Sequence, residues 1–522
     1  MNHPIAWGRK FSRSLKTANL GPRGGRIGTS RGCRHHGREH PVSPVRTFKS
    51  HTRFRTRSGG RGVVGARRVA AIGLGKMGGP MALHLHRQGV LAAIYSPRTA
   101  REFAAKNELP PSVTLAASPR DAASAANTVL VSVPIHQVES VLFGGDGVAA
   151  GLTEGLVIES GNSDHRRDPE YEQRFAAKGT RYLDAAVSGG PKRARAGTLV
   201  SIVGGPRETF DGALDVFRAF SQKDGIFHVG PTGQGHEAKM YHNQDEQNDM
   251  RNIGESISLL MASGMPFRDA FDALNKGDCR SALLTYAGTI SDDALPKIRP
   301  TIGGGDLPQI AVETAQAIGH PTPLTRLTLD LRRWSRGEIF PDEMAARARS
   351  SFTSKGFTHT LRLYNFLRER AWVQDVPGDA EVAPVARALA LGYLLDLAEV
   401  VAIAQHRQLN TQTLARIFRA GLCDKSALDP LLTQDLKNLG EFEPALPPED
   451  RRVFEEGLAF AAGVGHPAPS AAAYLDLGDE SHVARELKKL VDPKARAPYG
   501  NAIRIQAGIR DAFGEHGYEV AA

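Results

Sequence analysis

Cysteine is nearly absent, with three in 522 residues and none at a metal-ligand spacing. That argues against a disulfide-built scaffold and a structural zinc site, so no metal is expected and the protein reads as intracellular. Long uncharged apolar runs are missing too. The best candidate, "LALGYLLDLAEVVAIA", is interrupted by Asp396 and Glu399 and reads as a helix buried in protein, not as a bilayer span. Acid is missing from one end. Residues 1–68 hold 17 Lys and Arg against Glu39 alone, a charge of +16; the whole chain carries +10, so the remainder carries −6. This arm is rich in Arg, Ser and Gly and poor in large apolar residues, so no core is expected in it. It reads as a mitochondrial or plastid transit peptide, which would place the protein in an organelle; otherwise the protein is cytoplasmic. A functionless extension and a nucleic-acid arm are the alternatives, the latter lacking aromatics for base stacking.

Beyond the arm the chain is patterned. "RRVAAIGLGKMGGPMALHLHRQG" runs from a buried strand at Val69–Ile72 through a turn into a helix. Gly73, Gly75 and Gly78 form a G-x-G-x-x-G fingerprint: a tight turn, a close backbone approach to a pyrophosphate, and close packing of helix on strand. Leu74, Lys76 and Met77 complete the loop. After the second strand, "VLAAIY", no acid stands ready for a ribose 2′-hydroxyl. Ser96, Arg98 and Thr99 stand there instead and suit a 2′-phosphate, so NADP is expected over NAD. A glycine-rich loop without a ligand and a merely solvated Arg98 are the bland alternatives. Further strands, "ANTVLVSVP", "GLVIESGNS" and the pair around "VSGGPKRARAGTL", extend a doubly wound parallel (Rossmann-like) sheet over residues 69–234. Ligands are expected at the strand ends: Val133, Pro134 and Ile135; Asn162; Ser188, Gly189 and Gly190.

Residues 235–522 read as all-α. "LNKGDCRSALL" (274–284) echoes "FRAGLCDKSAL" (418–428), and "IGHPTPLTRLTLDL" (318–331) echoes "VGHPAPSAAAYLDL" (464–477), at an offset of 144 to 146. A duplicated helical unit with one shared core is expected, and Cys279 and Cys423 are matching packing residues. At the head of this region "AKMYHNQDEQNDM" aligns Lys239, His242, Asn243 and Glu246 at i, i+3, i+4 and i+7, where an apolar stripe belongs. Met240 and the apolar run after it favour burial over a solvent-facing polar helix. Lys239 and Glu246 sit about 10 Å apart at ~1.5 Å per residue, so they can address different carbons of one extended substrate. A lysine acting as base must be neutral, and a glutamate acting as acid must be protonated.

Together these motifs resemble 6-phosphogluconate dehydrogenase, the decarboxylating enzyme of the pentose phosphate pathway, over about residues 69–518. "GLGKMG", "PRT", "VIESGNSDHRRD", "VSGG", "KMYHNQDEQNDM", "RAGLCDKSAL" and "IQAGIRDAFGEHGYE" carry the resemblance. It implies oxidation at C3 with NADP, Lys239 as general base, Glu246 as general acid in protonating the enediol, and loss of carbon dioxide. It implies substrate binding by Asn162, Ser188, Gly189, Gly190, His242, Asn243 and Gln247. Lys425, Arg510 and His516 form the anion end, the last two reaching a neighbouring subunit, so a homodimer is implied. No nucleic-acid or membrane partner is. The sequence departs from the family at Gln247, where a tyrosine is usual; at Lys425, where an arginine is usual; and at "GDLPQI" (305–310), where Gly305 and Leu307 replace a phosphate-binding lysine and threonine and Asp306 adds a negative charge. A related dehydrogenase for another sugar acid or β-hydroxyacid is therefore the second reading, and a catalytically weak paralogue the third.

Overall fold

The computed structural model describes residues 67–513, apart from 304–306, 353–356, 371–375, 377–379, 381, 435, 437 and 477–481. The chain separates into two units, Met1–Val63 and Val64–Ala522. The first, and nearly all of the basic arm, lies outside the described residues, as do Gly305, Asp306 and His516.

Eight strands make one sheet: β1 (Val69–Ile72), β2 (Leu91–Tyr95), β3 (Thr114–Leu115), β4 (Thr128–Val131), β5 (Leu156–Glu159), β6 (Arg181–Ser188), β7 (Leu199–Gly204) and β8 (Ser221–Gly230). Their order is β3-β2-β1-β4-β5-β6-β7-β8. Strands β1 to β6 are parallel. β1, β4 and β5 are buried at every position, because helices cover both faces, and this is why they read as continuous apolar runs. The expectation of a parallel sheet needs correcting at one edge: β7 is antiparallel to β6, and β8 follows β7. The link from Ser188 to Leu199 is shorter than a parallel crossover requires. It turns at Gly189 (φ +122°) and Gly190 (φ +67°) into a short helix and doubles back.

The helices used below are α1 (Gly78–Arg87), α2 (Asp168–Ala176), α3 (Gly190–Ala196, between β6 and β7), α4 (Gln234–Ala262), α5 (Phe267–Leu274), α6 (Pro323–Ser335), α7 (Thr358–Arg370), α8 (Ala383–His406), α9 (Thr411–Ala420), α10 (Pro469–Leu475) and α11 (Pro493–Phe513). The duplication is visible in their order: α4, α5, α6, α7 correspond to α8, α9, α10, α11. The two halves are interleaved. The last helix of each packs on the first helix of the other, α11 on α4 and α7 on α8. Ser281 and Lys425, equivalent by the 144-residue offset, meet in an antiparallel bridge. Glu399 of α8 accepts the Leu324 and Thr325 N–H groups at the start of α6, both at 2.9 Å. Its equivalent in α4, Glu255, accepts Ser470 N–H at 3.0 Å at the start of α10. Each half thus supplies an anion to the other half's helix N-terminus. Burial pushes both carboxyls up to about 7.

This exchange explains a helix that is polar on all sides yet enclosed. α4 is buried from Gly235 to Leu260. Its polar groups find partners in both halves. Arg251 donates to Asp396 (2.9 Å), Leu324 O (2.7 Å), Thr328 (2.8 Å), Tyr474 (2.9 Å) and Ser470 (3.2 Å). The apolar α8 is long enough to cross a membrane, but 89% of its most apolar 18-residue stretch is buried inside the protein, and Asp396 and Glu399 are its contribution to this interior network.

Candidate functional site

The dinucleotide cradle lies where the strand order reverses, between β1 and β4. Gly73 adopts φ +89°, and a Cβ there would sit 2.1 Å from Ser132 O; a Cβ on Gly78 would sit 2.0 Å from Gly73 O. Both positions therefore need glycine. A Cβ on Gly75 would meet nothing within 4 Å, so this stretch of backbone lies open at the start of α1, where a pyrophosphate would approach. Lys76 is exposed beside it, Leu74 is buried and Met77 half-buried. Val133, Pro134 and Ile135 follow β4 on the same edge, Val133 buried and the other two half-buried. At the end of β2 the Ser96 and Thr99 hydroxyls are hydrogen-bonded at 2.8 Å, and Arg98 is exposed next to them. The chain fits a nicotinamide dinucleotide.

The catalytic candidates lie on α4. Lys239 is 5% exposed and Glu246 1% exposed. No hydrogen bond or ion pair joins Lys239 to another of the described residues. His242 is fully enclosed. Its Nε2 accepts the Leu422 N–H at 3.3 Å and lies 3.2 Å from Ser188 Oγ, while its ring meets Phe418 edge-on at 5.7 Å. Acceptance at Nε2 puts the proton on Nδ1, which lies 3.6 Å from Glu246 Oε2. Burial and the nearby Lys239 charge hold the imidazole well below its usual range, so it is neutral. A Cβ on Gly421 would collide with this ring at 2.2 Å, so the second half must present glycine there. His242 Nδ1 and Asn243 Oδ1 are buried without hydrogen-bond partners among the described residues. Such atoms cost about 1–3 kcal/mol each when nothing meets them.

The structure changes one placement expected from the sequence, that of Lys425, and adds detail at Arg510 and Gln247. Lys425 does not present its ammonium to an anion: Nζ bonds both carboxylate oxygens of Asp245 (2.9 and 3.0 Å) and both of Asp249 (2.8 Å each), all with fully buried side chains. Burial opposes its charge, but the two aspartates win and hold the ammonium well above its usual range. Burial in turn raises Asp249 well above the carboxylate range, because two acids share one cation. Arg510 lines a crevice of its own chain with Gln247, Met250, Ile302, Arg332 and Gln506. Gln247 accepts a hydrogen bond from Arg332 Nη1, and Arg332 Nη2 reaches Gly303 O at 2.7 Å. Arg332 and Arg510 are 3% and 4% exposed.

Sequence reasoning missed Arg332, although its position near the end of "PLTRLTLDLRR", one turn beyond the buried Thr328, was a usable signal. It also missed Arg193 of α3, which donates to Ala420 O at 2.7 Å and ties the sheet to the second helical half. Ser188 is bound to His242, whereas Asn162 is exposed on its turn after β5 and Gly189 and Gly190 shape the α3 turn.

An open glycine cradle at a sheet's switch point, together with a buried lysine and glutamate on one helix, suits a nicotinamide-dependent dehydrogenase. Comparison with known proteins agrees. Residues 68–230 match the NAD-binding domain of 6-phosphogluconate dehydrogenase. The NAD-dependent L-serine dehydrogenase of Pseudomonas aeruginosa is 32% identical over 280 residues, covering 51% of this chain and 91% of that protein. The 3-hydroxyisobutyrate dehydrogenase of the same organism is 34% identical over 208 residues, covering 38% of this chain and 65% of that protein. The chain belongs to the β-hydroxyacid dehydrogenase family. In fold it is similar to the 6-phosphogluconate dehydrogenase of Plasmodium falciparum, with a TM-score of 0.58 at 19% identity, over 78% of this chain and 91% of that one.

Proposed function

We propose that the protein oxidises and decarboxylates 6-phosphogluconate to ribulose 5-phosphate and carbon dioxide with NADP. The observation that supports this best is that Arg332 and Arg510 line one crevice with Gln247, one residue beyond Glu246. Two guanidinium groups suit a phosphate dianion, where a lone carboxylate needs one. A bound nicotinamide would supply the acceptor for the hydride of C3. Lys239 takes the proton of the 3-hydroxyl. The resulting β-keto acid loses its carboxylate as carbon dioxide, and the electrons of the broken C–C bond become those of an enediolate whose oxygen takes back the proton held by Lys239. Glu246 then protonates carbon while Lys239 accepts the hydroxyl proton, which converts the enediol to the ketone. His242 Nδ1 and Asn243 Oδ1 hold hydroxyl groups between the two. A homodimer belongs to this reading, though Arg510 already reaches the crevice of its own chain.

A second reading has its own support. The serine and 3-hydroxyisobutyrate dehydrogenases match this chain at 32% and 34% identity, and the sequence at 305–306 lacks the cation expected for a phosphate. It makes the substrate an unphosphorylated β-hydroxyacid. Turnover of 6-phosphogluconate, gluconate, 3-hydroxyisobutyrate and L-serine, followed as reduced cofactor and released carbon dioxide, separates the two. The first reading expects 6-phosphogluconate to be strongly preferred, and Arg332→Ala to raise its KM about 10- to 100-fold, the worth of a charge-assisted hydrogen bond. Equal turnover of gluconate, with KM unmoved in the variant, would replace it with the second.

NADP is proposed over NAD because β2 ends without an acid and beside Arg98. Arg98→Ala is expected to raise the KM for NADP by about tenfold or more and to leave that for NAD nearly unchanged. Equal effects on both cofactors would defeat the assignment.

A further inference from the structure

One buried cluster is not used by the chemistry above. His236 lies in the first turn of α4, three residues before Lys239, and its side chain is fully buried. Its two ring nitrogens face two carboxylates. Nδ1 is 2.8 Å from Asp168 Oδ2 at the start of α2, and Nε2 is 3.2 Å from Glu159 Oε2 at the end of β5. The second contact is an ion pair without an aligned hydrogen bond, since both of its atoms lack one. Asp168 also accepts the Tyr182 hydroxyl at 2.8 Å. Asp184 of β6 holds the backbone of the same turn, accepting the Gly233 and His236 N–H groups at 2.8 and 2.9 Å.

Glu159 is the link to function. Its other oxygen folds back to accept the Gly161 N–H at 2.8 Å, fixing the Ser160–Ser163 turn that carries Asn162. A Cβ on Gly161 would lie 2.7 Å from that oxygen, so the carboxylate fills the inside of the turn. A neutral imidazole has one N–H and would leave one carboxylate facing a lone pair; an imidazolium turns an N–H toward each. Burial opposes that charge, but Asp168 and Glu159 outweigh it and push the group up to about 10.

We propose that His236 is a positioning residue that sets the Asn162 turn in register with the catalytic helix through Glu159. The inference rests on the reading of Asn162 and Lys239 as parts of one site. The contacts to Glu159 and Asp168 join the end of β5 and the start of α2 to the first turn of α4, one turn before Lys239. Misplacement by about 1 Å between reacting groups costs on the order of 100-fold in rate.

The test is His236→Gln in the full-length protein. The variant is expected to lower kcat about 10- to 100-fold while the dissociation constant for NADPH, read by fluorescence titration, stays within about threefold because the Gly73–Gly78 loop is untouched. Adding Glu159→Gln removes the unpaired carboxylate and is expected to recover most of the lost kcat. A folded His236→Gln protein with kcat within threefold of the parent would overturn the proposal, as would losses that fall equally on kcat and cofactor affinity, or a double variant with no recovery. Should His236→Gln not fold, Glu159→Gln alone is expected to show the same split between kcat and cofactor affinity, and its absence would count against the proposal. If the parent turns over none of the four acids, the proposed function fails, while amide exchange still decides this inference: the Gly161 N–H is expected to exchange at least about tenfold faster in the variant, and unchanged exchange would overturn it.

Discussion

Lys239→Ala is expected to lower kcat by about 10²- to 10⁴-fold, the usual contribution of a positioned general base, while NADPH binding stays within about threefold of the parent. The split follows from position. Lys239 is 5% exposed in the second turn of α4, and the cradle glycines at 73, 75 and 78 belong to the β1–α1 turn of the sheet. No hydrogen bond or ion pair ties Lys239 to another described residue, so its removal breaks no internal pairing and should not unfold the helix. Rapid-mix measurement of the first turnover reads the chemical step, and fluorescence titration reads the cofactor. Retained turnover would remove Lys239 from the role of base. A matching loss of cofactor affinity would mean that the substitution had disturbed the sheet instead.

The second large effect is on stability. Lys425→Met is expected to destabilise the protein by about 3–5 kcal/mol, the cost of leaving buried charges unpaired. Lys425 Nζ touches both oxygens of Asp245 and of Asp249, so its loss leaves two carboxylates of one helix facing each other in the interior. The triple variant with Asp245→Asn and Asp249→Asn is expected to regain most of that loss, because neutral groups need no counter-charge. Denaturant midpoints of the three proteins compare these quantities directly. A loss below about 1 kcal/mol would show that Lys425 is not the counter-charge of this interior. The loop that carries Lys425 also presents the Leu422 N–H to His242, so the single variant is expected to lose activity as well.

The elements legible from sequence are those whose pattern is local. The Gly73–Gly78 turn, the buried strands and the repeat offset arise from φ constraints, from burial on both faces of a sheet and from self-similarity, none of which needs a distant partner. The reversal of β7 is less legible. It depends on whether ten residues after Ser188 can cross a sheet, and a short helix flanked by glycines that doubles back looks much like a turn in sequence. Lys425 reads as part of an anion site because a basic residue after "GLCD" carries no mark of what it will meet. Its partners lie 180 and 176 residues away on α4. Arg332 is inconspicuous among several arginines because only its packing against Gln247 distinguishes it.

By itself, the sequence determined the dinucleotide turn, the doubly wound sheet, the helical duplication, and Lys239 and Glu246 seven residues apart on one helix, since each is dictated by backbone sterics, hydrophobic period or spacing along the chain. Only the tertiary structure decided which charges are spent inside the protein and which face a site. Lys425, Arg251 and His236 became interior cations because carboxylates from remote segments surround them in a medium where an unpaired charge is expensive. Arg510 came beside Gln247 because the last helix of the second half packs on the first helix of the first, and Arg332 reaches Gln247 from α6.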